Sequence, residues 1–474
     1  MAYVSDPTSI SGSAGSIPGR GETDVVVIGG GLAGLTAAAF AARSGVRVTV
    51  LERTEEVGGR AATHDENGFR FNVGPHALYD GGPAMKAFAE LGVSFSGRRP
   101  PTSGGLAFDR GTLHALPGGF VSLLTTDLLG LSGKLELARV LGSLAKIDAK
   151  SLRGRTLRDW LDATFRDRTV RALVEALMRL TAYANDPSRS SAEASVAQLQ
   201  AGLGKGVLYL DGGWATLAAG LAKVAGDAGA VIRTGARVTA VRTFSGHVEV
   251  DAGEASLRAR VAVLAVPPGV AASLAKGEGA ATIEAWAADA IPVKAACLDL
   301  GLRRLPDPRR LFVLGIDRPF YFSVHSASAK LAPEGGAVVH VAKYLGPEPA
   351  DAKAVEAELE AFADVVQPGW RSELVERRYL PQMLVTGALV QAGRSRPGPD
   401  VPGTPSLVVA GDWVGDESMI ADTAVSSGRR AGLIAADRAG MAGSKRDGAG
   451  AKGSLPRAIR EVASYAADTM ATVA

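Results

Sequence analysis

The 474-residue chain holds one cysteine, Cys297. A single thiol excludes an internal disulfide and any zinc or iron–sulfur cage built on two to four thiolates. It suits a reducing, cytoplasmic compartment. Net charge is equally scarce, since 52 basic residues against 49 acidic ones leave only +3. That is far from the concentrated positive field that nucleic-acid binding requires, so no nucleic-acid partner is expected. Nowhere do the 18 or so uncharged apolar residues of a spanning helix run together. The six histidines (His64, His76, His114, His247, His325 and His340) show no ligand spacing, and no metal site is expected. Glycine is the residue in excess, at 59 positions against a usual share of roughly 7%.

Residues 1–21 are rich in Ser, Gly and Pro with no basic start before an apolar run, which reads as a flexible tail rather than a secretory signal. Residues 441–474 read as a Gly/Ala/Lys linker with a short helix after Pro456, dispensable for chemistry. Residues 113–144 are apolar but broken by glycine and Asp127, which suits a buried helix pair or a face dipping into a bilayer surface; core packing is the preferred reading. Eight arginines between 151 and 190 alternate with leucines and read as a solvated helix face.

Asp24 is followed by the apolar run Val25, Val26, Val27, Ile28, then by Gly29, Gly31 and Gly34 in a G-x-G-x-x-G pattern opening a helix-forming stretch. The run reads as a parallel strand covered on both faces. The first glycine permits a tight turn, the second lets backbone approach a pyrophosphate, and the third lets helix and strand lie close. The N–H groups of the helix start, at Leu32 and Ala33, then face the anion. A second strand over 46–51 ends in Glu52, 23 residues after Gly29 and at the spacing of the acid that holds a ribose hydroxyl. A second hexad at 448–453 has no strand before it and is rejected.

Arg53 follows Glu52, and then come Gly58, Gly59, Arg60, Ala61, Ala62 and Thr63. This resembles the superfamily of flavin amine oxidases, protoporphyrinogen oxidases and phytoene desaturases, which carry G-G-R-x-x-[ST] just after the ribose acid. The segment Gly74, Pro75, His76 resembles that family's strand beside the flavin ring, and Gly411, Asp412 its pyrophosphate and ribityl contact. A following helix, with Met419, Ile420 and Ala421 at its start, would meet the pyrimidine end of the flavin, and Val238 would lie by the adenine. The resemblance implies an α/β fold: a Rossmann-like FAD-binding domain assembled from residues 22–82, 203–268 and 396–440, and an α+β substrate domain from 83–202 and 269–395. FAD is expected to bind non-covalently, because the C-terminal motif lacks the cysteine some amine oxidases use.

A flavin needs placement and desolvation more than a protein nucleophile. Candidate catalytic residues are Lys294, at a position that loosely matches the amine-oxidase lysine near flavin N5, with His76 and His325. Cys297 reads as core. Residues 415–427 hold no aromatic side chain, which argues against an amine, and residues 331–335, Leu-Ala-Pro-Glu-Gly, resemble the desaturase branch. The expected activity is dehydrogenation of a small apolar, isoprenoid or carotenoid-like substrate, with oxygen or a quinone as electron acceptor and peripheral membrane contact left open. The alternatives are a flavin oxidase of an amine or porphyrinogen, and a flavin-free binding protein for lipidated partners resembling the Rab GDP-dissociation inhibitors. The intact Glu52, Gly59, Arg60 and Asp412 speak against the last.

Overall fold

A strand with no polar alternation has no wet face, and residues 25–28 of strand Glu22–Ile28 are covered on both. In the computed structural model, which describes residues 22–101, 103–253 and 255–444, this strand lies between parallel neighbours Val48–Leu51 and Ala255–Leu264. Val231–Arg233 continues the sheet beyond the first and Leu407–Val409 beyond the second, again in parallel. Strands separated by nearly 400 residues therefore meet in one layer. The near half of Ala255–Leu264 turns antiparallel instead, onto His247–Ala252 and then Val238–Phe244. The tail 1–21, the hexad at 448–453 and the helix after Pro456 lie outside the described residues.

Val25 and Val27 pack under helices Leu32–Arg43, Ala215–Asp227 and Ile420–Ser444, while Val26 and Ile28 face the cluster around Ala271, Ile283 and Trp413. The first and last of these helices touch backbone to backbone. A Cβ on Gly428 would lie 2.4 Å from the Ala33 carbonyl and one on Gly432 2.3 Å from that of Ala37. Two glycines four residues apart share one helix face, so this pair cuts the groove for the crossing. The last helix continues to Ser444, past residue 441 where a linker was expected.

The second sheet has seven strands, in the order Leu374–Thr386, Val293–Leu302, Ala337–Tyr344, Phe320–Val324, Phe312–Gly315, Leu106–Asp109, Thr112–Ala115. Helix Ala352–Val366 covers one face through Val355, Leu359 and Phe362. Helices Leu131–Leu144, Leu157–Thr164, Arg168–Ala182 and Ala192–Gly204 build a separate apolar cluster beside it. Contacts hold the described residues from 22 to Ala439 in one compact unit. Arg179 breaks the expected solvated arginine face: it is buried and donates to the Asn185 side chain and the Gly315 carbonyl. Among the described residues no helix is long and apolar enough to cross a membrane.

Candidate active site

The three glycines of the first turn do separate jobs. Gly29 sits at φ +104°, and a Cβ there would lie 2.6 Å from the Ala265 carbonyl oxygen. A Cβ on Gly34 would lie 1.9 Å from the carbonyl oxygen of Gly29, the closest strand-to-helix approach in the turn. Gly31 is different, since a Cβ there meets nothing nearer than the Gly58 oxygen at 3.8 Å. It faces open space at the start of helix Leu32–Arg43, whose cap offers no side-chain acceptor to the first N–H groups. A cradle that only an added Cβ would fill, facing free helix donors, fits a pyrophosphate.

Glu52 follows strand Val48–Leu51 and is buried. Its Oε2 accepts from the Gly30 N–H at 2.6 Å, and its Oε1 from the Thr54 N–H and hydroxyl at 3.0 and 2.9 Å. The carboxylate is thus held in place beside the turn. Glu52→Ala is expected to weaken FAD binding about tenfold or more, the worth of hydrogen bonds to a charged group. A titration of the deflavinated variant giving an unchanged Kd would refute the ribose assignment.

Gly58 and Gly59 lie at φ +122° and +55° and swing the chain back so that Gly58 donates to the Gly30 carbonyl at 2.8 Å. Arg60 follows and donates to Asp412 Oδ2 at 2.5 Å and to the Val385 carbonyl at 2.9 Å. Two cofactor candidates 352 residues apart are therefore an ion pair. Burial pushes the Asp412 carboxyl up, but Arg60 outweighs it and holds the group below the ordinary value; Arg60 is raised in turn against its partial desolvation. Gly411 is tied to the last helix, its N–H donating to Ser427 Oγ at 3.0 Å. Arg396, unnoticed in the sequence, staples this loop by donating to the Asp412 and Ser418 carbonyls.

Thr63 and Asn72 explain the end of the G-G-R-x-x-[ST] motif. Thr63 Oγ1 accepts from the Ala215 N–H at 3.0 Å and Asn72 Oδ1 from the Trp214 N–H at 2.9 Å, capping helix Ala215–Asp227. The cap fixes Trp214, whose ring meets His76 edge to face at 4.7 Å.

These elements enclose a cavity of about 2150 Å³, more than twice the roughly 300–1000 Å³ of an ordinary ligand pocket. Gly29, Gly31, Glu52, Arg53 and Val238 line it, and Leu32 and Ala33 stand beside them. So do Gly59, Arg60, Pro75, His76 and Asp412, with Ile420 and Ala421 at the helix start. Leu177, Leu180, Leu199, Leu203, Phe312 and Tyr321 line it as well. The Trp214 indole N–H, on the wall, finds no acceptor among the described residues, a buried donor suited to a polar cofactor atom.

Not every candidate reaches this wall. Gly34 and Met419 pack behind it. Gly74, at φ +76°, was expected to bring backbone to the ring, but the space a Cβ would take is filled by Met383 Sδ at 2.2 Å, and Met383 lines the cavity instead. Lys294 is a correction. Side chains alternate along a strand, and Lys294 shares parity with Ala296 and Leu298, which face helix Ala352–Val366; its ammonium donates to Gln382 Oε1 at 3.1 Å. Lys294→Met is expected to leave the rate of flavin reduction within about twofold of the parent, the size of a surface substitution; a drop of a hundredfold in a stopped-flow trace would restore it to the chemistry.

His325 is likewise not on the wall. It lies fully buried behind Tyr321, whose hydroxyl pairs with its Nε2 at 3.1 Å, and stacks on Tyr209 at 3.8 Å. Burial pushes its pKa well below the ordinary value, so it is a neutral core histidine. His76 does line the cavity; burial lowers it to about 4, against the raising effect of the Gly74 carbonyl, so it too is neutral at pH 7. Asp422, in the first turn of the last helix, also lines the cavity and accepts from the Ala84 N–H at 2.8 Å; burial raises its carboxyl to about 6.

The odd-numbered side of Val293–Leu302 brings together groups that sequence spacing separates. Cys297, Asp299 and His340 hold donor atoms within 4.8 Å of one another, all buried. Asp299 accepts from His340 Nδ1 at 2.6 Å and from Arg378 at 2.6 Å. The Arg378 guanidinium supplies the positive charge this carboxylate needs and repels a second cation, so the cluster is an ion-pair network rather than a metal centre.

Residues 32–432 match the family described as flavin containing amine oxidoreductase. A carotenoid 3,4-desaturase of Haloarcula japonica is 50% identical over 52 residues, 11% of this chain and 10% of that protein. A coproporphyrinogen III oxidase of Propionibacterium freudenreichii is 33% identical over 128 residues, 26% and 24% of the two chains. The chain thus matches a tenth to a quarter of the length of these curated relatives. Among solved structures, an oxidoreductase from Methanosarcina mazei superposes with a TM-score of 0.71 at 20% identity over 86% of this chain and 99% of its own. Putrescine oxidase bound to putrescine gives 0.69 at 17% identity over 87% and 98%. At these identities the structures share the fold alone.

Proposed function

The chain belongs to the flavin containing amine oxidoreductase family, and from that premise we propose that it is an FAD-dependent dehydrogenase of a long apolar substrate, isoprenoid or carotenoid-like. One observation carries the substrate class: Leu177, Leu180, Leu199 and Leu203, the apolar arm of this reading, line the same cavity as the dinucleotide turn. Bound FAD supplies a two-electron acceptor. The residues of the chain hold it through Gly31, Glu52 and Asp412, and the apolar arm orders the substrate and keeps water from its reacting carbons. Binding is non-covalent in this reading, and oxygen or a quinone takes the electrons afterwards.

A second reading has a specific observation behind it. The scarcity of aromatics in residues 415–427 does not extend to the cavity, where Tyr183 and Tyr209 arrive from other elements and Asp422 adds a carboxyl. An amine would find both a ring wall and an anion there. Anaerobic mixing of the flavinated protein with an acyclic C40 polyene precursor, a polyamine and a porphyrinogen decides between them. Bleaching of the flavin bands by the isoprenoid alone supports the dehydrogenase. Bleaching by the amine or the porphyrinogen alone overturns it, and so does a set of isoprenoids that leaves the flavin oxidised.

A further inference from the structure

One of the two helices whose role the sequence left open, Phe120–Thr125, lines the cavity, and the other, Leu131–Leu144, packs beside it. The two helices bury Leu123, Leu137, Val140 and Leu144, as core packing requires. Their other faces are apolar too. Phe120 is 77% exposed, Val121 71%, Leu124 57%, Leu131 77% and Leu135 66%. Singly exposed leucines are ordinary on a protein surface, but five large side chains on one two-helix corner form a patch of the kind that marks an interaction site. Phe120, Val121 and the exposed Leu203 also line the cavity, so the patch borders it.

We propose that this corner seats the protein on an anionic phospholipid bilayer, with the cavity mouth against the acyl boundary. The charge around the patch selects that occupant. Arg139 and Lys146 are exposed on and just after the second helix with no ion partner among the described residues, and Lys134 reaches back to the Leu124 carbonyl at 2.7 Å. The acids near them are already engaged, Asp127 by His114 at 2.8 Å, Glu136 by the N–H groups of Arg166 and Asp167 at 2.8 and 2.9 Å, and Asp148 by the Lys150 N–H at 3.1 Å. An apolar corner edged by unpaired cations is the pattern of an interfacial helix. A two-fold contact with a second copy would instead set the patch against itself, cations facing cations. The purpose of the seat rests on the apolar substrate proposed above, because such a molecule dissolves in the bilayer and would enter without crossing water.

The test is flotation of the flavinated full chain with phosphatidylcholine vesicles, plain or carrying roughly a quarter phosphatidylglycerol. The parent is expected to float with the anionic vesicles and to bind plain ones at least about tenfold less well, a difference that high salt erases. Leu131→Glu with Leu135→Glu, neither of which lines the cavity, should lower binding to anionic vesicles at least tenfold while leaving FAD absorbance and circular dichroism unchanged. Arg139→Glu with Lys146→Glu should abolish the preference for anionic lipid. A parent that stays at the bottom of the gradient with both vesicles overturns the proposal, and so does a dimer in light scattering that Leu131→Glu with Leu135→Glu dissociates. No substrate is present in the flotation, so a wrong substrate class and a wrong surface fail in different experiments.

Discussion

Gly31→Val is expected to give a folded but colourless protein. The added side chain starts into open space, its Cβ meeting only the Gly58 oxygen at 3.8 Å, and φ at this residue is −78°, which valine adopts freely. Nothing in the apo fold therefore resists it. What it removes is the room between the turn and helix Leu32–Arg43, where the anion would meet the free N–H groups. Bound FAD should fall by at least about a thousandfold in affinity, roughly 4 kcal/mol, with the melting temperature of the deflavinated proteins unchanged. Gly34→Ala is the contrasting control. Its Cβ would stand 1.9 Å from the Gly29 carbonyl oxygen, so the helix must move off the strand and the apo protein itself should lose stability, about 1–3 kcal/mol or more for an overpacked contact. A yellow Gly31→Val protein, or one that melts as early as Gly34→Ala, would remove the pyrophosphate from this turn.

The same two glycines show what was legible in the sequence. Local spacing carries a backbone job well, because the turn, the helix start and Glu52 are fixed within one strand–helix–strand unit of about 30 residues. Parity along a strand was not legible at Lys294: whether an even or odd residue faces the cavity depends on how Val293–Leu302 is seated between Ala337–Tyr344 and Leu374–Thr386, and that seating is tertiary. The Asp299 network was hidden for the same reason, His340 standing opposite Asp299 only through strand register and Arg378 arriving from the next strand. Residues 113–144 misled in another way. An apolar helix usually means interior, and one face of each helix is interior, but the second apolar face is read only once the exposed side of Leu131 and Leu135 is seen.

The pairing of Arg60 with Asp412 gives the second large effect, because it joins the two ends of the family match into one contact. Asp412→Ala is expected to cost the apo protein about 2–3 kcal/mol, less than a fully buried pair would, since the Arg60 side chain keeps 37% exposure. It should lose FAD as well. Asp412→Asn keeps the shape and an acceptor for the Gly387 N–H at 3.1 Å but drops the charge, so its cost isolates the ion pair. The sign with pH follows from the lowered folded pKa of Asp412. A carboxyl whose folded pKa lies below its unfolded one contributes fully above the unfolded value of 3.8 and loses that contribution as pH falls through the folded value. The stability gap between the parent and Asp412→Asn should therefore be flat from pH 7 to about 4 and close below it. His76, neutral in the fold and lowered to about 4, weakens both proteins alike as pH falls from its unfolded 6.5, and cancels in the difference. Urea unfolding of the two apo proteins across this range reads the gap directly. A gap that persists undiminished at the acid end would show that Asp412 acts through packing, and that the charge beside Arg60 is not what joins the two motifs.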